Sequence, residues 1–131
     1  MRVNFNLFCR DIEAQMAFYR DVLQLAERTE LRSPLYRALA ARDVEIGFNA
    51  PGAYELLGLG QRRPDQRGPA PVTGYATFMA ESPAAVDGAA QRAAERGATV
   101  VKAPYRTYYG DWQVVLEDPE GNVFRVGAKA D

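Results

Sequence analysis

The chain repeats its own pattern. A short alternating strand, an amphipathic helix opened by a capping residue and three further strand patterns occur twice, with the two caps, Asp11 and Ser82, 71 residues apart. A repeat of this period means one supersecondary unit used twice. Each copy alone is too small to bury much of its surface, so the two sheets are expected to share a core or to pair with another chain. At 131 residues the two copies fit one compact domain, with module one at about 1–50, a connection at about 51–72 and module two at about 73–128.

The local patterns support that division. In "VNFNLFC", residues 3–9, Val3, Phe5, Leu7 and Cys9 alternate with Asn4, Asn6 and Phe8, the period of a strand with one face on a helix layer. Asp11 stands at an N-cap position, and Ile12, Met16, Tyr19 and Leu23, with Phe18 and Val22 beside them, form one helical stripe. Three strands are predicted at 26–31, 35–41 and 44–49. The connection is rich in Pro and Gly, with one helical turn at most in "AYELLGL". "TGYATFMA" then repeats the first strand. Ser82 caps the second helix, Pro83 falls where a missing N–H costs nothing, and Gly97 marks the end. The stripe of this helix is small (Val86, Ala89, Ala90, Ala93, Ala94), so it is expected to lie close on its sheet. Strands follow at 98–102, 111–117 and 123–127, the last two joined by "DPEGN".

Composition removes several function classes. Sixteen Lys and Arg against seventeen Asp and Glu leave a net charge of -1, no footprint for nucleic acid or an anionic membrane. The basic stretch "GQRRPDQRG" at 60–68 reads as a solvated linker. No run approaches the roughly 20 apolar residues of a membrane helix, the start lacks a signal-peptide pattern, and the lone Cys9 suits a reducing compartment. The expected location is the cytoplasm. The chain contains no histidine, which excludes imidazole as a metal ligand, nucleophile partner or general base.

Two motifs carry a resemblance. "RDIEAQMAFYRDVLQL" is similar to the aspartate-led first helix of the vicinal oxygen chelate superfamily (glyoxalases, extradiol dioxygenases, fosfomycin-modifying enzymes, bleomycin-resistance proteins), and "DPEGNVFRV" resembles its Asp-Pro-x-Gly-Asn hairpin. The resemblance spans essentially the whole chain. It implies an α+β fold of two tandem βαβββ modules forming a curved mixed-sheet cup, commonly completed by a second chain, hence a homodimer. It also implies ligand positions: in metal-using members a His early in a module's first strand and a Glu on its last. These positions fall here on Asn4 and Gly47 in the first module and on Tyr75 and Arg125 in the second. None suits a divalent cation, so no metal and no cofactor are expected.

With Asn4 facing the concavity, Asn6 and Phe8 follow by parity, as do Tyr75, Thr77 and Met79 in the second module and Gln113, Val115, Glu117 and Arg125 on the last hairpin. Cys9 reads as a small buried hydrophobe. "PYRTYYGDWQ", with Tyr105, Tyr108, Tyr109 and Trp112, is similar to a rim segment in the family, so either Tyr109 or Trp112 stacks on a flat ligand or the rings fill the gap between the modules. Arg125 either meets an anionic or carbonyl-bearing ligand or is neutralised by Glu117, with the ion pair slightly favoured. Asp118 and Gly121 belong to the turn. The function expected first is metal-free binding of a planar or aromatic small molecule, as in the bleomycin-resistance branch. The alternatives are a metal-free lyase or isomerase using Glu117 or a tyrosine as acid or base, with the neighbouring Arg125 opposing the raised pKa such a carboxylate needs, and a regulatory module with a vestigial pocket.

Overall fold

A computed structural model describes residues 1–64 and 69–130, so part of the basic stretch at 60–68 lies outside the described residues. The chain divides into two compact units, Met1–Gly68 and Pro69–Asp131. In the first, β1 (Val3–Phe8), α1 (Ile12–Leu23), β2 (Ala26–Glu27), β3 (Tyr36–Ala41) and β4 (Val44–Asn49) are followed by the single turn α2 (Ala53–Leu56). The second contains β5 (Ala76–Met79), α3 (Pro83–Glu95), β6 (Thr99–Arg106), β7 (Asp111–Glu117) and β8 (Val123–Lys129). Each unit holds a four-stranded mixed sheet, ordered β1-β4-β3-β2 and β5-β8-β7-β6. In both, the first strand runs parallel to the last and the other pairs are antiparallel. No helix among the described residues is long and apolar enough to cross a membrane.

The caps act as the sequence indicates. Asp11 Oδ1 accepts from the Ala14 amide at 3.0 Å and Ser82 Oγ from that of Ala85 at 3.2 Å, each satisfying an N–H that the first helical turn leaves open. Past α3, Gly97 takes φ +89, a left-handed value that an L side chain rarely adopts. The apolar stripe of α1 (Met16, Phe18, Tyr19, Val22) is buried, as are Leu39, Ile46 and Phe48 on the strands beneath it. Val86, Ala89, Ala90 and Ala93 of α3 are buried as well, with Val114, Leu116, Phe124 and Val126 in the sheet. Full burial of each large apolar side chain contributes about 1.5–3 kcal/mol. Ala94, expected on that stripe, is exposed.

Two strands depart from expectation for local reasons. The strand expected at 26–31 stops after Glu27, and Thr29–Leu31 form a 3-10 turn. The turn brings Arg32 back onto Glu27, with Nε–Oε1 at 2.6 Å and Nη2–Oε2 at 2.7 Å, whereas an extended chain would hold residues five apart roughly 16 Å away from each other. The Arg32 guanidinium holds the Glu27 carboxyl below its ordinary range, mainly through this hydrogen bond. β6 runs on to Arg106, well past the expected end at 102, with register shifts on either side of Lys102. An edge strand with such irregularities tolerates Pro104, which has no N–H to give a neighbour. The result carries Tyr105 into the sheet.

Candidate functional site

Paired residues share a sheet face, so the registers assign the side chains. In the first module Asn4, Asn6 and Phe8 of β1 lie beside Glu45, Gly47 and Asn49 of β4, and these beside Ala40, Ala38 and Tyr36 of β3. Tyr36 stands opposite Asn49 yet donates its hydroxyl to Glu45 Oε2 at 2.9 Å. Its ring therefore lies along the sheet, over the small residues that separate the two. A Cβ at Gly47 would meet Asn6 Oδ1 and would stand 2.5 Å from the Tyr36 hydroxyl. Burial first, and then the hydrogen bond to Glu45, push the Tyr36 phenol up to about 12. Arg28 stands 3.7 Å from the far side of Glu45. Phe8 stacks on Tyr54 of α2, centroids 3.8 Å apart and planes at 12°, and burial raises the Tyr54 phenol. This face is furnished by its own side chains.

In the second module Thr77 pairs with Arg125, which pairs with Val115, which pairs with Lys102. Arg125 Nε donates to Thr77 Oγ1 at 2.9 Å, and its guanidinium carbon lies 4.8 Å from the Tyr75 ring centroid. Gln113, one alternation along β7, is buried. Its Nε2 donates to the Tyr105 hydroxyl at 2.7 Å, and its Oε1 accepts from Tyr109 at 3.1 Å. The Lys102 ammonium sits 3.8 Å from the Tyr105 ring centroid. Tyr75 and Tyr109 stay half exposed. Arg125 with Thr77 and Tyr75, and Gln113 with Tyr105 and Tyr109, thus form two polar and aromatic clusters on one sheet face.

Two sequence expectations are corrected. Trp112 does not join this surface: it lies on the opposite face, where its indole N–H donates to Asp87 of α3 at 2.7 Å. The favoured Arg125–Glu117 ion pair is not formed, because Glu117 lies beside the Gly121 turn, with Oε1 3.6 Å from where a Cβ at Gly121 would stand, and Arg125 engages Thr77 and Tyr75. That turn is held by Asp118, whose Oδ1 accepts from the amides of Glu120 and Asn122 at 2.9 and 3.0 Å. Sequence reasoning did not single out Tyr36, Glu45 or Lys102, and counted Tyr105 only among the rim rings. The signal for Glu45 was present in "VEIGFN", two residues before Gly47 on the same alternation.

The fold fits one group of proteins. The model of the Glyoxalase/Bleomycin resistance protein/Dioxygenase superfamily matches residues 3–126, and the chain belongs to that superfamily. A glyoxalase/bleomycin resistance protein/dioxygenase family enzyme from Burkholderia phytofirmans PsJN is 42% identical, with 95% of each chain covered and a TM-score of 0.86. A lactoylglutathione lyase from Agrobacterium tumefaciens is 26% identical over 98% of this chain and 92% of its own, with a TM-score of 0.70. A glyoxalase-related enzyme from Fulvimarina pelagi, 15% identical, covers 98% of this chain and 88% of its own, with a TM-score of 0.81, a likeness of fold. Among curated proteins none matches.

The metal that the superfamily implies does not fit these residues. Of the four corresponding positions, Asn4 offers a neutral amide and Gly47 no side chain, its place being taken by Asn6 and Tyr36. Tyr75 lies against a guanidinium, and Arg125 is itself that cation. Protein sites for divalent ions are built around carboxylate, thiolate or imidazole donors, with neutral oxygens adding to them. Among the described residues no group of three or more His, Cys, Asp or Glu side chains is placed to hold one.

Proposed function

We propose that this chain is a metal-independent small-molecule-binding member of its superfamily, which holds a planar or aromatic compound on the sheet face of the second module. The observation that carries the reading is Arg125, a cation at a ligand position of the metal-using relatives, braced by Thr77 and Tyr75 and bordered by the Gln113–Tyr105–Tyr109 network. Aromatic rings with few rotatable bonds and fixed amide and guanidinium donors suit a flat ligand that carries polar atoms at its edge. Asn4, Asn6 and Phe8 contribute less, since Asn6 packs at Gly47 and Phe8 is stacked on Tyr54. A catalytic reading has weaker support, because Glu117, its expected acid or base, lies at the hairpin turn. The working state we assign is a cytoplasmic homodimer.

Native mass spectrometry of the purified protein, repeated after addition of manganese, nickel and zinc, tests this reading. The expected result is a dimer with no stoichiometric metal before or after addition, with any retained organic mass identifying the ligand class. One tightly held metal ion per module would return the chain to the metalloenzymes.

A further inference from the structure

Resting on that reading, we infer that the ligand carries a carboxylate, received end-on by Arg125 with Lys102 as a second positive charge. A guanidinium offers five N–H donors along two edges. Thr77 takes Nε and so occupies the side edge, while Tyr75 covers one flat face. The outer edge, with both Nη atoms, has no acceptor among the described residues. Two parallel N–H donors at fixed spacing match the two oxygens of a carboxylate.

The charges around Arg125 point the same way. Lys102 lies in the same cross-strand row, two strands over and so about 10 Å away, and its ammonium has a ring face but no carboxylate partner among the described residues. The face itself supplies little negative charge. Glu117 leans to the Gly121 turn, and Asp111 is engaged by Lys129 at 3.2 Å. A half-buried guanidinium held in place with its best donor edge empty is poorly compensated, and an arriving carboxylate would complete it. The Tyr105 hydroxyl accepts from Gln113 and keeps its own proton to donate, which offers a polar atom elsewhere on the ligand a partner. A cationic ligand would meet two like charges here.

Three probes of one shape and three charges decide the point: 2-naphthoate, 2-naphthamide and 2-naphthamidine, titrated by calorimetry and by amide chemical shifts. The expected order is naphthoate tightest, about tenfold over the amide because charge-assisted hydrogen bonds exceed neutral ones by roughly that factor, with the amidine weakest. Arg125→Gln should remove the preference for naphthoate, weakening naphthoate about tenfold more than the amide, a charge-dependent split that lost folding would not produce. Arg125→Lys should keep part of the preference, and Lys102→Gln should weaken naphthoate about twofold and flatten its salt dependence. Equal binding of amide and naphthoate, or a preference that survives in Arg125→Gln, would overturn the carboxylate assignment and leave the binding reading standing. If none of the three binds the folded dimer, both are overturned.

Discussion

The two modules share one topology and treat the same face in opposite ways. In the first, three small residues, Ala38, Ala40 and Gly47, let the Tyr36 ring lie down along the sheet to reach Glu45, and Phe8 is capped by Tyr54. In the second, Arg125 stands in the corresponding strand position with its outer edge open, and Tyr75 and Tyr109 remain half exposed. One copy has satisfied its polar groups internally. The other keeps donors open, and under the proposed function this division is how a duplicated scaffold loses one site and retains another.

The largest test of that contrast restores the family's carboxylate. Gly47→Glu must displace Asn6 and Tyr36 and bury a charge, so we expect a loss of about 3 kcal/mol or more in urea unfolding. Arg125→Glu, on the open face, should cost about 1 kcal/mol. Equal costs would break the distinction. In a Tyr36→Ala background Gly47→Glu should become cheaper by about 1–2 kcal/mol, since the two sites share one space. Phe8→Ala comes next, with an expected loss of about 2 kcal/mol from the Tyr54 stack, whereas Tyr109→Ala should stay within about 0.5 kcal/mol and act on binding instead.

Alkaline titration sharpens the same point. With the Tyr36 phenol pushed up to about 12 in the folded chain and near 10 when unfolded, the native state binds the extra proton between those values. Its contribution to stability is therefore full below about pH 10 and is lost as pH rises through about 12. Absorbance at alkaline pH should show one tyrosine ionising near 12, with Tyr54 also raised. Tyr36→Phe should abolish that step, and Glu45→Gln should bring it partway back toward 10, because burial remains. The smallest effect on binding belongs to Trp112→Phe, which removes the bond to Asp87. Its cost should be about 1 kcal/mol, with probe affinity unchanged within about twofold; a larger loss of affinity would place Trp112 at the ligand after all.

Much of this architecture can be read from residues that have few alternatives. Asp11, Ser82, Pro83 and Gly97 punctuate the helices because capping geometry admits few side chains, and the β7 boundaries 111–117 follow from strict alternation ended by an Asp-Pro-Glu-Gly-Asn turn. Alternation also set Gln113 and Arg125 on one face, and the same rule already put Trp112 on the other; the aromatic run around it obscured that parity. The Tyr36–Glu45 contact was less accessible, because it depends on β3–β4 register and on the combined smallness of three residues. The course of Arg125 was hidden for a similar reason. The side chain engages Thr77 while Glu117 lies beside the Gly121 turn, and one-dimensional spacing does not report the direction a side chain takes.

Amide chemical-shift mapping with 2-naphthoate addresses the division of labour directly, since it reads both faces at once. Shifts at Thr77, Gln113 and Arg125 that saturate with binding, with Asn6, Gly47 and Glu45 still, are the predicted result. Saturating shifts at Asn6, Gly47 and Glu45 with the second module unmoved would show that the first face is the working one and that the Tyr36 ring yields to ligand.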